Sequence, residues 1–268
     1  MKIEQQKWIA PLVSIALMGI SSSVWAKSNS DLAKAAQNPI ANMISLPLQN
    51  NTNMGVGAKN KTQNILNIQP VIPLSINDDW NVITRTIIPV ISQPDVLTND
   101  GRTNGIGDTN FTAFFSPNNS GALTWGVGPT FILPTASDDA LGADKWAAGL
   151  SAVFLTMPGN WVVGSLFSNV WSVGGSGKED INLFTWQYFV NYNLPEGWYL
   201  TSAPIITANW EAGSDEQWTI PLGAGVGKVF RIGKQPVNAQ VSAYKNIESP
   251  TYGADWQLRI QLQFLFPK

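Results

Sequence analysis

Residues Trp256–Phe266 alternate apolar and polar side chains until Leu265 breaks the rhythm. A two-residue period describes an extended strand with one apolar and one polar face. The segment matches the roughly 9–11 residues that a tilted strand needs to cross a bilayer. Trp256 stands at one end and Phe264 and Phe266 at the other, as interfacial girdles require. From Met43 onward the period recurs in twelve segments: 44–56, 63–76, 80–92, 106–116, 121–133, 146–157, 160–173, 181–194, 198–211, 218–231, 236–247 and 254–266. Short links rich in Asn, Asp, Pro and Gly fall at 77–79, 117–120, 158–159, 195–197 and 233–235. They alternate with longer polar links at 57–62, 93–105, 134–145, 174–180, 212–217 and 248–253. The pattern predicts an all-β fold over 43–268, an antiparallel transmembrane barrel of about twelve strands with both ends and the short turns on the periplasmic side.

The alternation also assigns faces. Trp80, Val82, Thr84, Thr86, Ile88 and Val90 face lipid, as do Trp198, Leu200, Ser202, Pro204, Ile206, Ala208 and Trp210, and Val237, Ala239, Val241 and Ala243. Asn81, Arg85, Asn209, Glu211, Asn238, Gln240 and Ser242 then face a polar interior. The lumen-lining candidates are Arg85, Asp108, Gln187, Asn209, Glu211, Gln240, Arg259 and Gln261. The inward charges, chiefly Arg85, Asp108, Glu211, Lys228, Lys245 and Arg259, either pair across the lumen or line a selective path. Pro70, Pro73, Pro89, Pro129, Pro204 and Pro221 each remove a ladder donor inside a strand and predict bulges or breaks. Gly223, Gly225 and Gly227 share one face, where missing side chains open space or permit a bend.

Composition agrees with a membrane address. Charged residues are 13% of the chain, against roughly 25% in soluble domains. There are 12 Trp, 11 Phe and 5 Tyr, and Trp and Tyr concentrate where an apolar band meets water. Residues 1–26 read as a cleaved export signal: Lys2 and Lys7, an apolar run over 8–20 that is shorter than the roughly 20 residues of a membrane anchor and holds Pro11, then small residues up to Ala26. Residues 27–42 form a periplasmic segment. Within it Ser30 to Gln37 predicts a short helix capped by Ser30 and stopped at Asn38-Pro39, either a plug in the barrel mouth or a frayed tail.

The chain has no Cys and no His, which excludes disulfides, the usual zinc sites and histidine acid–base catalysis. A net charge of −2 without a basic stripe argues against nucleic acid. Gly223–Lys228 imitates a phosphate loop, but Leu222 and Val229 occupy the positions where Gly and a hydroxyl are needed. No catalytic residue, metal ligand or cofactor follows from the sequence. Asp138, Asp139 and Asp144 read as solvated loop charge, with divalent-ion binding among lipopolysaccharide as the alternative.

Gln69-Pro70 with Pro73, Trp80-Asn81 with Arg85-Thr86, Gly107-Asp108 with Phe114-Phe115-Ser116-Pro117, Asn191-Tyr192-Asn193-Leu194-Pro195, Thr207-Ala208-Asn209-Trp210 and the closing Leu265-Phe266-Pro267-Lys268 stand in one order along the chain. This set resembles the family of outer-membrane transporters named for the meta-pathway of phenol degradation, some of whose members carry the label neuromedin U. The resemblance implies an outer-membrane β-barrel that passes small molecules, aromatic ones among them. Lys268 departs from the aromatic C-terminus usual for such barrels, leaving Phe266 as the signal to the barrel-assembly machinery. The expected role is passive passage of small aromatic or hydrophobic molecules across the outer membrane of a Gram-negative bacterium, amid its lipids and lipopolysaccharide. The alternatives are a non-conducting structural barrel and, outside the membrane, a secreted β-sandwich.

Overall fold

The computed structural model describes residues 28–97 and 101–267. The expected export signal, Lys27 and Lys268 lie outside them. Helix α1 (Asn29–Ala36) is followed by twelve barrel strands. They are β1 (Ile44–Val56), β2 (Lys61–Ile68 continued as Val71–Ser75), β3 (Trp80–Pro94), β4 (Arg102–Ile106 continued as Thr109–Pro117), β5 (Leu123–Leu133), β6 (Lys145–Thr156), β7 (Trp161–Gly175), β8 (Asn182–Asn193), β9 (Trp198–Ser202 continued as Ile205–Asn209), β10 (Trp218–Ile232), β11 (Gln235–Glu248) and β12 (Trp256–Phe266). Each strand pairs antiparallel with its sequence neighbours, and β12 returns to β1 in a ladder from Ile44 opposite Phe266 to Met54 opposite Trp256. The sheet is therefore closed and has no free edge.

Strand bounds depart most from the alternation at β4, which begins at 102 rather than 106 because Arg102–Ile106 pairs with the far end of β3. The β1–β2 link, expected to be long, is a tight turn over 57–60. Asn60 donates to the Gly57 carbonyl (3.1 Å), and both residues take positive φ. The prolines divide into two groups. Pro70 and Pro204 interrupt β2 and β9, Pro221 sits at a bulge opposite β11, and Pro89 faces the bulge at Gly107-Asp108. Pro129 falls where the β4–β5 ladder lapses between Thr112–Thr130 and Phe115–Val127. Pro73 lies in a paired run with no break.

Beside Pro204 the wall changes character. The β9–β10 ladder stops at Thr201 opposite Gly225 and resumes at Thr207 opposite Thr219. Between them Ser202 Oγ donates to the Gly223 carbonyl (2.7 Å). At Gly227, one of the three inward glycines of β10, the space is taken by the Tyr199 ring, 2.2 Å from where a Cβ would lie.

The alternation separates the faces as expected, with one addition. Leu200, Val226, Val241 and Ile260 are exposed on the outer wall, while Asn81, Thr201, Asn238, Ser242 and Arg259 are buried within. Ile206 and Val237 point outward yet are covered, Ile206 opposite Trp186 and Val237 between Phe230 and Phe264. The interior is not uniformly polar. Ile83, Phe114, Val153, Leu155, Val162, Leu166 and Phe189, inward residues of β3 to β8, form an apolar cluster with Val71 and Ile40.

Helix α1 closes the end of the barrel that carries the short turns. Its cap is Ser28 rather than Ser30: the Ser28 hydroxyl accepts from the Asp31 N–H (3.1 Å) and donates to the Asp31 carboxylate (2.7 Å). Asp31 stands three residues after Ser28, where a capping partner is needed, and Ala33 would stand there for Ser30. Leu32 and Ala33 are fully buried against Met43, Val229 and Leu265. Lys34 Nζ donates to the Gly159 carbonyl (2.6 Å) in the β6–β7 turn. Burying a Leu side chain contributes about 1.5–3 kcal/mol, so Leu32 and Leu265 together account for a substantial part of the docking.

Candidate functional site

A cavity of about 140 Å³ lies inside the barrel, directly behind the docked N-terminal segment. Residues 35–39, Ala41 and Met43 form its floor, and inward side chains of β1, β2, β3, β8, β9, β11 and β12 form its walls. The floor is tied down by a reciprocal amide pair: Gln37 Nε2 donates to Asn193 Oδ1 (2.9 Å) and Asn193 Nδ2 to Gln37 Oε1 (3.2 Å). Ile40 carries the floor into the apolar cluster, its N–H held by Asn38 Oδ1 (3.0 Å).

Two arginines face this space. Arg85, on β3, donates from Nη2 to Gln69 Oε1 (2.8 Å). Arg259, on β12, donates to Asn51 Oδ1 (3.1 Å), to Gln257 Oε1 (3.0 Å) and to the Ala203 carbonyl (2.8 Å) in the unladdered stretch of β9. It also lies over the Tyr244 ring at 4.8 Å, and the Tyr244 hydroxyl is buried without a partner. Tyr199 donates to Asn238 Oδ1 (2.8 Å), and Asn238 Nδ2 to Gln263 Oε1 (3.1 Å), extending the amide lining. Among the described residues no carboxylate borders the cavity. The interior charges thus rest on neutral amides and carbonyls, not on one another.

Five of the eight expected lumen residues border this cavity: Arg85, Gln187, Gln240, Arg259 and Gln261. The other three lie elsewhere. Asp108 occupies the β4 bulge, where its carboxylate accepts the N–H groups of Ala136 (3.2 Å) and Ala143 (2.8 Å) and so holds the β5–β6 loop. Asn209 ends β9 and accepts the Glu211 N–H (3.1 Å), and Glu211 is exposed beyond the strand. Lys228 and Lys245, expected to point inward, lie instead on the outer face, paired with and over the rings of Trp198 (4.6 Å) and Trp256 (5.8 Å). Asn51, Gln69, Tyr199 and Gln263 belong to the site without having been expected in the lumen. Parity on β1 and β12 marks Asn51 and Gln263, whereas Tyr199 owes its place to the gap above Gly227.

The loop acids are occupied locally. Asp138 accepts the Ala140 N–H (2.9 Å), and Asp144 accepts the Ser176 hydroxyl. Among the described residues no group of three or more acids could hold a metal ion, and the ion pair found is Lys145–Asp180 (3.1 Å) at the loop end. There the Lys145 ammonium, with the Ser172 hydroxyl, holds the Asp180 carboxyl below its usual range.

Outside, aromatic residues gather at two levels. Trp80, Trp125, Trp161 and Trp198 lie near the short-turn end, with Trp161 against Tyr192 (4.7 Å) and Trp80 against Trp125 (6.0 Å). Trp146, Trp171, Trp210, Trp218 and Trp256 lie near the other, with Trp210 against Trp218 (5.3 Å). An apolar wall between two aromatic rims, closed around a partly polar interior, defines an outer-membrane β-barrel.

The chain belongs to the family described as "Putative MetA-pathway of phenol degradation", whose profile matches residues 48–268. Among solved structures it is similar to an outer-membrane channel from Pseudomonas putida F1, with 17% identity, TM-score 0.64 and coverage of 84% of this chain and 94% of that one. Weaker similarity links it to CymD, a monoaromatic hydrocarbon channel (9% identity, TM-score 0.48, 93% and 95% covered), and to outer-membrane phospholipase A from Escherichia coli (15%, 0.43, 91% and 99%). No curated protein sequence matches the chain.

Proposed function

We propose that this protein is a passive outer-membrane channel for small aromatic or hydrophobic molecules. The observation that carries the reading is the amide- and arginine-lined cavity inside a closed barrel, floored toward the short-turn end by residues 35–43. Membership of a family named for phenol degradation and similarity to a P. putida channel support it. We assign no catalytic role, since the chain lacks histidine and, among the described residues, no carboxylate borders the cavity. Outer-membrane lipid and lipopolysaccharide surround the apolar band, and β12, ending in Phe264 and Phe266, is the strand offered to the assembly machinery.

Single-channel recording of refolded residues 27–268 in a planar bilayer tests the reading. Reproducible conductance steps are expected. Silence from protein shown to be folded by heat-dependent gel mobility, persisting after removal of residues 27–42, overturns it. That result would favour a structural barrel, a reading that the apolar cluster filling one side of the lumen supports.

A further inference from the structure

The cavity holds a charge imbalance. Arg85 and Arg259 both border it and, among the described residues, no Asp or Glu does. Withdrawing a charge from water is costly unless it is paired, yet every hydrogen-bond partner of these two guanidiniums is neutral. A guanidinium carries five N–H donors in a planar fork. Arg259 spends its fork on Asn51, Ala203 and Gln257, whereas Arg85 has a single hydrogen bond, to Gln69. Among the described residues, most of the Arg85 fork has no partner.

Apolar side chains border the space as well, Val71 paired directly across from Arg85 and Phe189 on β8. Val71 and Phe189 border the same cavity and belong to the apolar cluster. Its volume, about 140 Å³, is close to the roughly 150 Å³ at which an engineered apolar cavity accepts benzene. The space thus offers guanidinium donors to an anion and an apolar surface, in part right beside Arg85, to a ring.

We propose that this cavity binds a small aromatic carboxylate, with the carboxylate on Arg85 and Arg259 and the ring against Val71 and Phe189. The inference rests on the channel reading only for the solute's onward passage. A carboxylate meets a guanidinium fork through both oxygens. The corresponding amide offers one acceptor and no charge. Inorganic phosphate fits the fork but leaves the apolar wall uncovered, and acetate does the same.

Isothermal titration of refolded residues 27–268 in detergent, with benzoate, benzamide, acetate and inorganic phosphate as separate probes, tests this. Benzoate is expected to bind at least tenfold more tightly than each of the others. Arg85→Gln should abolish the gap between benzoate and benzamide, and Arg85→Lys, which keeps the charge without the fork, should retain part of it. Heat-dependent gel mobility establishes that each variant is folded. If Arg85→Gln does not fold, Arg259→Gln carries the same comparison. Equal affinity for benzoate and benzamide, tighter binding of phosphate than of benzoate, or a gap that survives both glutamine variants overturns the proposal. Because the titration needs no conduction, a silent bilayer counts against the channel reading alone.

Discussion

Leu265 is the inward position of β12 that carries an apolar side chain, after Gln257, Arg259, Gln261 and Gln263. Its departure from alternation marks the place where α1 docks, for it is fully buried with Leu32, Ala33 and Met43. Truncating a buried Leu to Ala costs about 2–5 kcal/mol. Leu265→Ala is therefore expected to speed trypsin cleavage at Lys34 at least tenfold, and an unchanged rate would mean that docking does not depend on this contact. A second residue ties two loops. The Glu216 carboxylate accepts both the hydroxyl and the N–H of Thr251, and these bonds hold its carboxyl below the ordinary range. A depressed acid contributes fully above its unfolded pKa, about 4.3 for glutamate. The contribution fades as pH falls through the lower folded value. The protection factor of the Thr251 amide should be flat from pH 7 to about 5 and drop in more acidic solution, and Glu216→Gln should remove that step.

At the scale of elements, α1 is too short to be a stable helix in isolation. Its order comes from the cap at Ser28, the buried Leu32 and Ala33, and the Lys34–Gly159 and Gln37–Asn193 contacts. Sequence pattern locates such a helix but leaves its docking open, since the partners lie in the β6–β7 turn and on β8, β10 and β12. Removing residues 27–42 should raise single-channel conductance, because the cavity then loses its floor, and equal conductance with and without the segment would reject a gating role. The strands were far more legible. Each proline that lapses or bulges a ladder does so for the reason visible in the chain, a missing donor, while Pro73 is tolerated inside a paired run.

For the whole molecule, closure, strand number and the inward or outward sense of most residues follow from a two-residue period. Two features do not. The apolar side of the lumen is hidden because Ile83, Val153, Val162 and Phe189 stand beside outward apolar neighbours, so both faces of those strands read alike. Asp108 sits at a bulge, Asn209 at the last paired position of β9 and Glu211 beyond it, where parity is least informative. The floor of the cavity has one further consequence. Helix α1 is joined to β1 by residues 37–43, so on leaving its seat it remains tethered at an effective concentration in the millimolar range or above. Re-closure is then a first-order event, insensitive to how much protein is present. A solute holding the cavity competes with a rival that dilution cannot remove.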